Sequence, residues 1–337
     1  MFVEDIECIH QSKVFNINCL DYPGMLMEWN DYFVNELKRR FMEKYEGKPL
    51  EKVFPVRETK KCYLIEERER IKLELPDVEK VRWNLLSSLS LVPGVGPRTE
   101  MKLKKRGYST LKDLMKHPRF ESEASRILRL LEERRIHEIV EYIGRRFKMS
   151  HPLILHCAAF HDLEKFLVVD IETLGLFSCP IILIGTGEFR GNEFVIKQYF
   201  ARNLREEESI IRMFLDAVRA KEALITFNGR RFDVPFIQER LRHYGIEEKL
   251  ELPNYDVYLF SRSLIKGVPD YKLQTLERYL LGFEREEDIP SALISDFYRY
   301  YLKTGKAALV VPIIKHNALD VITTARLFSV LLKTIRE

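Results

Sequence analysis

The sequence predicts an α/β fold, a mixed β-sheet flanked by helices and preceded by a helical segment and a small N-terminal region. Two observations carry this. Beyond His151, three short apolar runs follow one another closely and then give way to alternating helix and strand patterns, the order expected of a mixed sheet with helices packed on it. From about 81 to 148 the periodicity is helical instead. The chain therefore divides into 1–80, 81–148 and 150–337.

The elements can be taken in order. A helix is expected around Trp29–Tyr45, and a strand in the first half of KCYLIEERERIKLEL (61–75); no chemistry is marked in this region. A Pro/Gly-punctuated hairpin at Val92–Pro97 is followed by a long helical stretch near Glu121–Phe147. FLVVDIETL (166–174) reads as a buried strand, and IILIGTGEF (181–189) and EFVIKQYF (193–200) complete an antiparallel meander through a Gly-Asn turn at Arg190–Asn192. Then come a helix (Arg205–Ala220), a strand (223–227), a helix (Val234–Tyr244) and a short strand near Asp256–Phe260. About 65 residues of mainly helical pattern close the chain.

The 337 residues are 46% hydrophobic and 11% aromatic, a composition that excludes a disordered polymer. A net charge of +4 is too small to name an anionic partner, so the local placement of charge must do so. No run is read as long enough to span a bilayer, and MFVEDIECIH lacks a signal-peptide pattern, so a cytoplasmic location is expected. Cys8, Cys19, Cys62, Cys157 and Cys179 form no C-x-x-C pair and read as reduced. The spacing of His151, His156 and His161 around Cys157 fits neither a helix face nor a closed zinc pattern.

Asp170 and Glu172 stand two apart in the first buried strand, so both point to one face while Leu167, Val169 and Ile171 point to the other. Paired carboxylates at the end of an apolar strand are costly unless cations neutralise them, and hard ions such as Mg²⁺ or Mn²⁺ prefer such oxygen ligands. A two-ion clamp suits phosphodiester cleavage. An exposed pair on an edge strand would look the same. Asp233 follows a strand at the start of a helix, where it serves equally as a helix cap. His316 and Asp320, four apart on a helix entered at Pro312, share a face and also suit a solvated pair.

Taken in order, D-I-E-T at 170–173, F-N-G-x-x-F-D-x-P at 227–235 and H-N-x-x-D-V at 316–321 resemble the three exonuclease motifs of the DnaQ-like, or DEDD, superfamily. The nearest likeness is to its YprB-type ribonuclease-H-like branch, and DVYLFSRSL (256–264), LQTLERYLLGFERE (273–286) and DIPSALISDFYRYYLKTG (288–305) agree with it. The resemblance covers about 165–335. It implies a ribonuclease-H-like sheet and 3′–5′ exonuclease activity on nucleic acid, DNA before RNA. It further implies two Mg²⁺ or Mn²⁺ ions held by Asp170, Glu172, Asp233 and Asp320, with His316 as general base. His316 departs from the histidine-using subgroup: it precedes Asp320 by four residues, the spacing at which the tyrosine-using subgroup places its tyrosine. Asp256 reads as structural. Arg230 and Arg231, beside Asp233, suit either phosphate steering or plain solvation.

LVPGVGPRTEMKLKKRGYSTLKDL (91–114) resembles a helix-hairpin-helix motif. Gly94 and Gly96 permit a tight turn ahead of a helix N-terminus, which favours anions. Arg98, Lys102, Lys104, Lys105 and Arg106 follow with only Glu100 against them, a set suited to sequence-independent grip on a phosphate backbone; a solvated protein-docking hairpin is the alternative. The expectation is thus a metal-dependent exonuclease with a nucleic-acid anchor. A structure-dependent endonuclease on the same fold, or a non-catalytic nucleic-acid adaptor, are the rivals, and no membrane partner is expected.

Overall fold

A computed structural model of the protein describes residues 31–59 and 61–335. Cys8, Cys19 and the start of the helix expected at Trp29 lie outside these residues. Two compact units divide at Arg40 and Phe41. The helix α1 spans Asp31–Tyr45.

Among the described residues, seven strands form one sheet: β1 (Val56–Glu58), β2 (Tyr63–Glu69), β3 (Phe166–Thr173), β4 (Ile181–Arg190), β5 (Glu193–Phe200), β6 (Ala223–Thr226) and β7 (Asn254–Asp256), in the order β1-β2-β5-β4-β3-β6-β7. The β3-β4-β5 meander is antiparallel as its short connections require, with Gly191 at φ +57° in the β4–β5 turn. β6 and β7 join in parallel beside β3, so the sheet is mixed. The strand expected in 61–75 is present as β2, and it pairs with β5 along its whole length, from Tyr63↔Phe200 to Glu69↔Phe194. A part of the N-terminal region to which the sequence assigns no role thereby completes the sheet.

The remaining helices are α2 (Val78–Ser87), α3 (Pro97–Lys105), α4 (Leu111–Leu114), α5 (Glu121–Glu132), α6 (Ile136–Arg146), α7 (Pro152–His156), α8 (Glu207–Val218), α9 (Asp233–His243), α10 (Val257–Leu264), α11 (Leu273–Leu276), α12 (Ile294–Thr304) and α13 (Val311–Thr334). Alternation along β3 separates two cores. Leu167, Val169 and Ile171 pack with Ile210, Phe214, Phe236 and Ile237 of α8 and α9. Phe166 and Val168 pack on the other face with Phe260 of α10 and Val321, Ala325 and Phe328 of α13, and this core continues into the helical segment through Leu85, Leu103, Ile127 and Ile143.

Three expectations are corrected. The stretch 121–147 is two helices, broken at Arg134 (φ +52°), because the buried stripes of α5 (Ala124, Ile127, Leu128) and α6 (Ile139, Val140, Ile143) meet the same core only if the chain turns between them. The short strand near 256–260 ends at Asp256, whose carboxylate accepts the N–H groups of Tyr258 and Leu259 and starts α10. The C-terminal helical segment Ala307–Thr334 is long and apolar enough, by length and composition, to cross a bilayer; 78% of its most apolar window is buried within the protein, which marks it as a core helix.

Candidate active site

The β3 strand presents Asp170 and Glu172 to the α13 face of the sheet, and a register shift between Glu172 and Thr173 ends regular pairing there. Gly185 lies opposite Asp170 on β4. A Cβ at Gly185 would fall 2.1 Å from Asn317 Oδ1, so only glycine lets the α13 side chain lie this close to the sheet. Asn317 uses that space to donate Nδ2 to Asp170 Oδ2 (2.7 Å), and its own Oδ1 accepts from Gln198 Nε2 (2.8 Å).

Asp233 heads α9. Its Oδ1 accepts the N–H of Ile171 at 3.1 Å, which fastens the helix to β3 between the two acids of that strand. The preceding loop is set by Asn228 in the left-handed region (φ +61°) and by Asp256, which accepts the N–H groups of Asn228 (2.9 Å) and Arg230 (3.2 Å). Asp256 is therefore structural as expected. It is buried at the end of β7, and burial raises its carboxyl even though four backbone donors oppose this.

From α13, His316 and Asp320 face the same region. His316 is 3% exposed; Nδ1 lies 2.6 Å from Asp288 Oδ1, and Nε2 lies 3.2 Å from Ser291 Oγ and 3.6 Å from Asp320 Oδ2. Arg285 reaches Asp320 Oδ1 at 2.7 Å.

Electrostatics confirm the crowding. Burial first, then the Asp320, Glu172 and Asp233 carboxylates, raise Asp170 well above the ordinary range. Burial pushes Glu172 up to about 8, against the pull of His316, and Asp233 up to about 7, against two backbone hydrogen bonds. Burial would lower His316, but Asp320, the hydrogen bond to Asp288 and Glu172 outweigh it and raise the imidazole to about 9. Buried carboxyls that cannot all ionise together are held neutral by protons unless cations replace them.

Among the described residues, no group of three or more His, Cys, Asp or Glu side chains already stands ready to hold a metal ion. In this arrangement Asp170 accepts from Asn317, Asp233 accepts from Ile171, and Asp320 lies against Arg285. The donor chemistry nonetheless fits a hard divalent cation, since all four carboxylates offer oxygen and the buried Asp320 Oδ1 has no hydrogen-bond donor.

The structure thus brings Asp170, Glu172, Asp233, His316 and Asp320 together. Arg231 is exposed, whereas Arg230 pairs with Glu141 of α6 at 2.9 Å. In the hairpin, Gly94 takes φ +83° and Gly96 precedes α3 without a side-chain cap; Arg98, Lys102, Lys104 and Lys105 are exposed, Lys104 pairing with Glu100 at 2.8 Å. Arg146 of α6 pins the hairpin by donating to the carbonyls of Ser90 and Val95. Nothing in their spacing marks Arg285, Asp288 or Gln198 in the sequence. Asn317 had one signal, its place beside His316 in the last motif.

Residues 167–332 match the family described as the RNase_H superfamily. This part of the chain carries the ribonuclease-H-like mixed sheet. The chain is 29% identical over 188 residues to the uncharacterized protein YprB of Bacillus subtilis (strain 168), covering 53% of this chain and 44% of that protein. It is 23% identical over 292 residues to a DNA polymerase of Methanocaldococcus jannaschii, covering 72% of this chain and 17% of that one. The chain therefore spans less than half the length of these relatives. Among solved structures, the family B DNA polymerase of Pyrobaculum calidifontis is similar with a TM-score of 0.38 and 20% identity, over 47% of this chain and 23% of that one.

Proposed function

We propose that the protein is a metal-dependent 3′–5′ exonuclease that hydrolyses terminal phosphodiesters, with DNA the favoured polymer and RNA the second. One observation carries the reading: four carboxyl groups from β3, α9 and α13 lie close enough to repel one another, and burial holds three of them well above their ordinary range. The match to the RNase_H superfamily supports the reading, and the name of the M. jannaschii relative, a DNA polymerase, favours DNA.

Asp170, Glu172, Asp233 and Asp320 would hold two Mg²⁺ or Mn²⁺ ions, which when bound supply neutralisation of phosphate charge and activation of the attacking water. The protein's own groups do the rest. Asn317 and the Ile171 N–H orient Asp170 and Asp233. His316 acts as general base: Asp288 fixes Nδ1, leaving Nε2 turned toward Asp320 to accept a proton. That role requires the Asp320 and Glu172 charges to be neutralised first, since they hold the imidazole protonated while bare. Residues 81–148 serve as a helix-hairpin-helix anchor on the phosphate backbone through the Gly94–Gly96 turn and the exposed Arg98, Lys102, Lys104 and Lys105. Arg231 steers the terminal phosphates, and Arg230 joins the anchor to the site through Glu141.

The test is a panel of end-labelled DNA and RNA substrates with Mg²⁺ or Mn²⁺. Stepwise shortening from a free 3′ end that stalls at a blocked 3′ end is expected. Internal cuts in the blocked substrate would instead establish an endonuclease, and binding without cleavage a nucleic-acid adaptor.

A further inference from the structure

A buried charge network lies behind Asp320 and includes groups to which the proposed reaction assigns no part, Glu277 and Arg285. It starts in a π-helical turn, Glu277–Leu281, that ends at Gly282 in the left-handed conformation (φ +63°); single π turns interrupting helices are frequent at functional sites. Glu277, 2% exposed, accepts from Thr323 Oγ1 at 2.7 Å and from Arg285 Nε at 2.7 Å. Arg285 Nη1 donates to Asp288 Oδ2 at 2.8 Å, and the other oxygen of Asp288 holds His316. The Arg285 side chain is 4% exposed and so has left water for three carboxylates, Glu277, Asp288 and Asp320.

The three contacts are unequal. Those to Glu277 and Asp288 are aligned hydrogen bonds. The approach of Nη2 to Asp320 Oδ1 is close, yet neither atom has a hydrogen-bond partner, so this arm is held by charge alone. Two arms anchor the guanidinium by hydrogen bonds, and the third meets the cluster through a charge contact that lacks hydrogen-bond alignment. We propose that Arg285 is a positioning residue and a built-in counter-cation. It neutralises Asp320 while the acidic cluster is bare and yields that carboxylate to an arriving divalent cation, while its two anchored arms keep Asp288, and through it His316, in place. This rests on the metal-dependent reading above.

Two consequences separate this role from simple support of the fold. As a competing positive charge, Arg285 weakens cation binding; as a fork spanning Glu277 and Asp288, it aids turnover. Arg285→Met removes both charge and fork, whereas Arg285→Lys keeps the charge and loses the fork. Mn²⁺ binding to the full chain is read by calorimetric titration without substrate, after circular dichroism confirms folding, and kcat and KM are read on an end-labelled oligonucleotide. Arg285→Met should bind Mn²⁺ about tenfold more tightly or better, the scale expected when a like charge a few ångström away is removed. Its kcat should fall with KM little changed. Arg285→Lys should bind Mn²⁺ within about twofold of the natural protein and still lose kcat, since fork geometry, not charge, holds Asp288. Unchanged or weaker Mn²⁺ binding by Arg285→Met overturns the counter-cation role. Should that variant fail to fold, natural kcat in Arg285→Lys overturns the positioning role, and reduced kcat with natural Mn²⁺ affinity supports it. A natural protein that binds Mn²⁺ but cleaves no substrate defeats the nuclease reading while leaving the affinity comparison intact; one that binds no divalent cation defeats both.

Discussion

Asp233 does two jobs with one carboxyl. Its Oδ1 stitches α9 to β3, and its charge is unwelcome beside Asp256 and Asp320. Asp233→Asn keeps an acceptor for the Ile171 N–H and deletes the charge. The apoprotein should therefore melt at a higher temperature and gain less from Mn²⁺ than the natural protein does, measured by thermal unfolding with chelator and with metal. Nuclease activity should fall by more than the roughly 100-fold typical of losing an outer partner of a metal site. Full activity would remove Asp233 from the ligand set. Gly185 is a quieter residue with a sharp requirement. Gly185→Ala drives a Cβ into Asn317 Oδ1 and should cost about 1–3 kcal/mol, seen as a lowered denaturation midpoint, along with a loss of activity as Asp170 loses its donor. A neutral result would mean that α13 shifts freely on the sheet.

Among the elements, the hairpin and α3 show how local signals survive into the fold. Gly94 adopts the left-handed turn that its type permits, Pro97 opens α3, and Leu103 is buried while the basic residues around it stay exposed. Replacing Lys102, Lys104 and Lys105 by Glu should weaken nucleic-acid binding about equally for all sequences and flatten the log–log salt dependence by about three units, since fewer counterions are released. The Lys104–Glu100 pair is surface-exposed and does not remove Lys104 from that count. Cleavage of short oligonucleotides should persist. Unchanged affinity and salt slope in a binding titration would identify the hairpin as a protein-docking element.

At the scale of the molecule, the ionisable groups of the site act together on stability. Asp233 and Glu172 have folded-state values of about 7 and 8, above their ordinary carboxyl values of 3.8 and 4.5, and His316 rises from 6.5 to about 9. In each case the folded chain binds the proton more tightly than the unfolded chain. Stability from these groups is therefore fully present at low pH and lost as pH rises through the folded values. The chelated protein should lose a few kcal/mol of stability between about pH 4 and pH 9, and the gain from Mn²⁺ should grow over the same range. A metal effect that shrinks with rising pH would contradict carboxylate ligation. The sheet makes a second prediction. A chain beginning at residue 150 lacks β2, which pairs with β5 from Phe194 to Phe200, and lacks the helices that share the core under α13. It should be poorly soluble and give no cooperative melt, because it exposes an unpaired strand edge and an apolar face. A cooperative melt would show 150–337 to be a self-sufficient domain.

Periodicity and turn chemistry are local, so the sequence alone determined the β3-β4-β5 meander, the parallel addition beyond it, the shared face of Asp170 and Glu172, and the i,i+4 relation of His316 to Asp320. It misjudged the break at Arg134 and the helix after Asp256, because a change of direction toward a common core and a side-chain cap from a strand end are decided by distant partners. Only the tertiary structure decided which cations and donors meet the acids. Glu277, Arg285 and Asp288 lie 28 to 43 residues from His316 and Asp320, in stretches where nothing singles these three side chains out, and Gln198 reaches Asn317 across 119 residues. Burial decides the charge state of Asp170, Glu172 and Asp233, since removal from water is what raises these carboxyls.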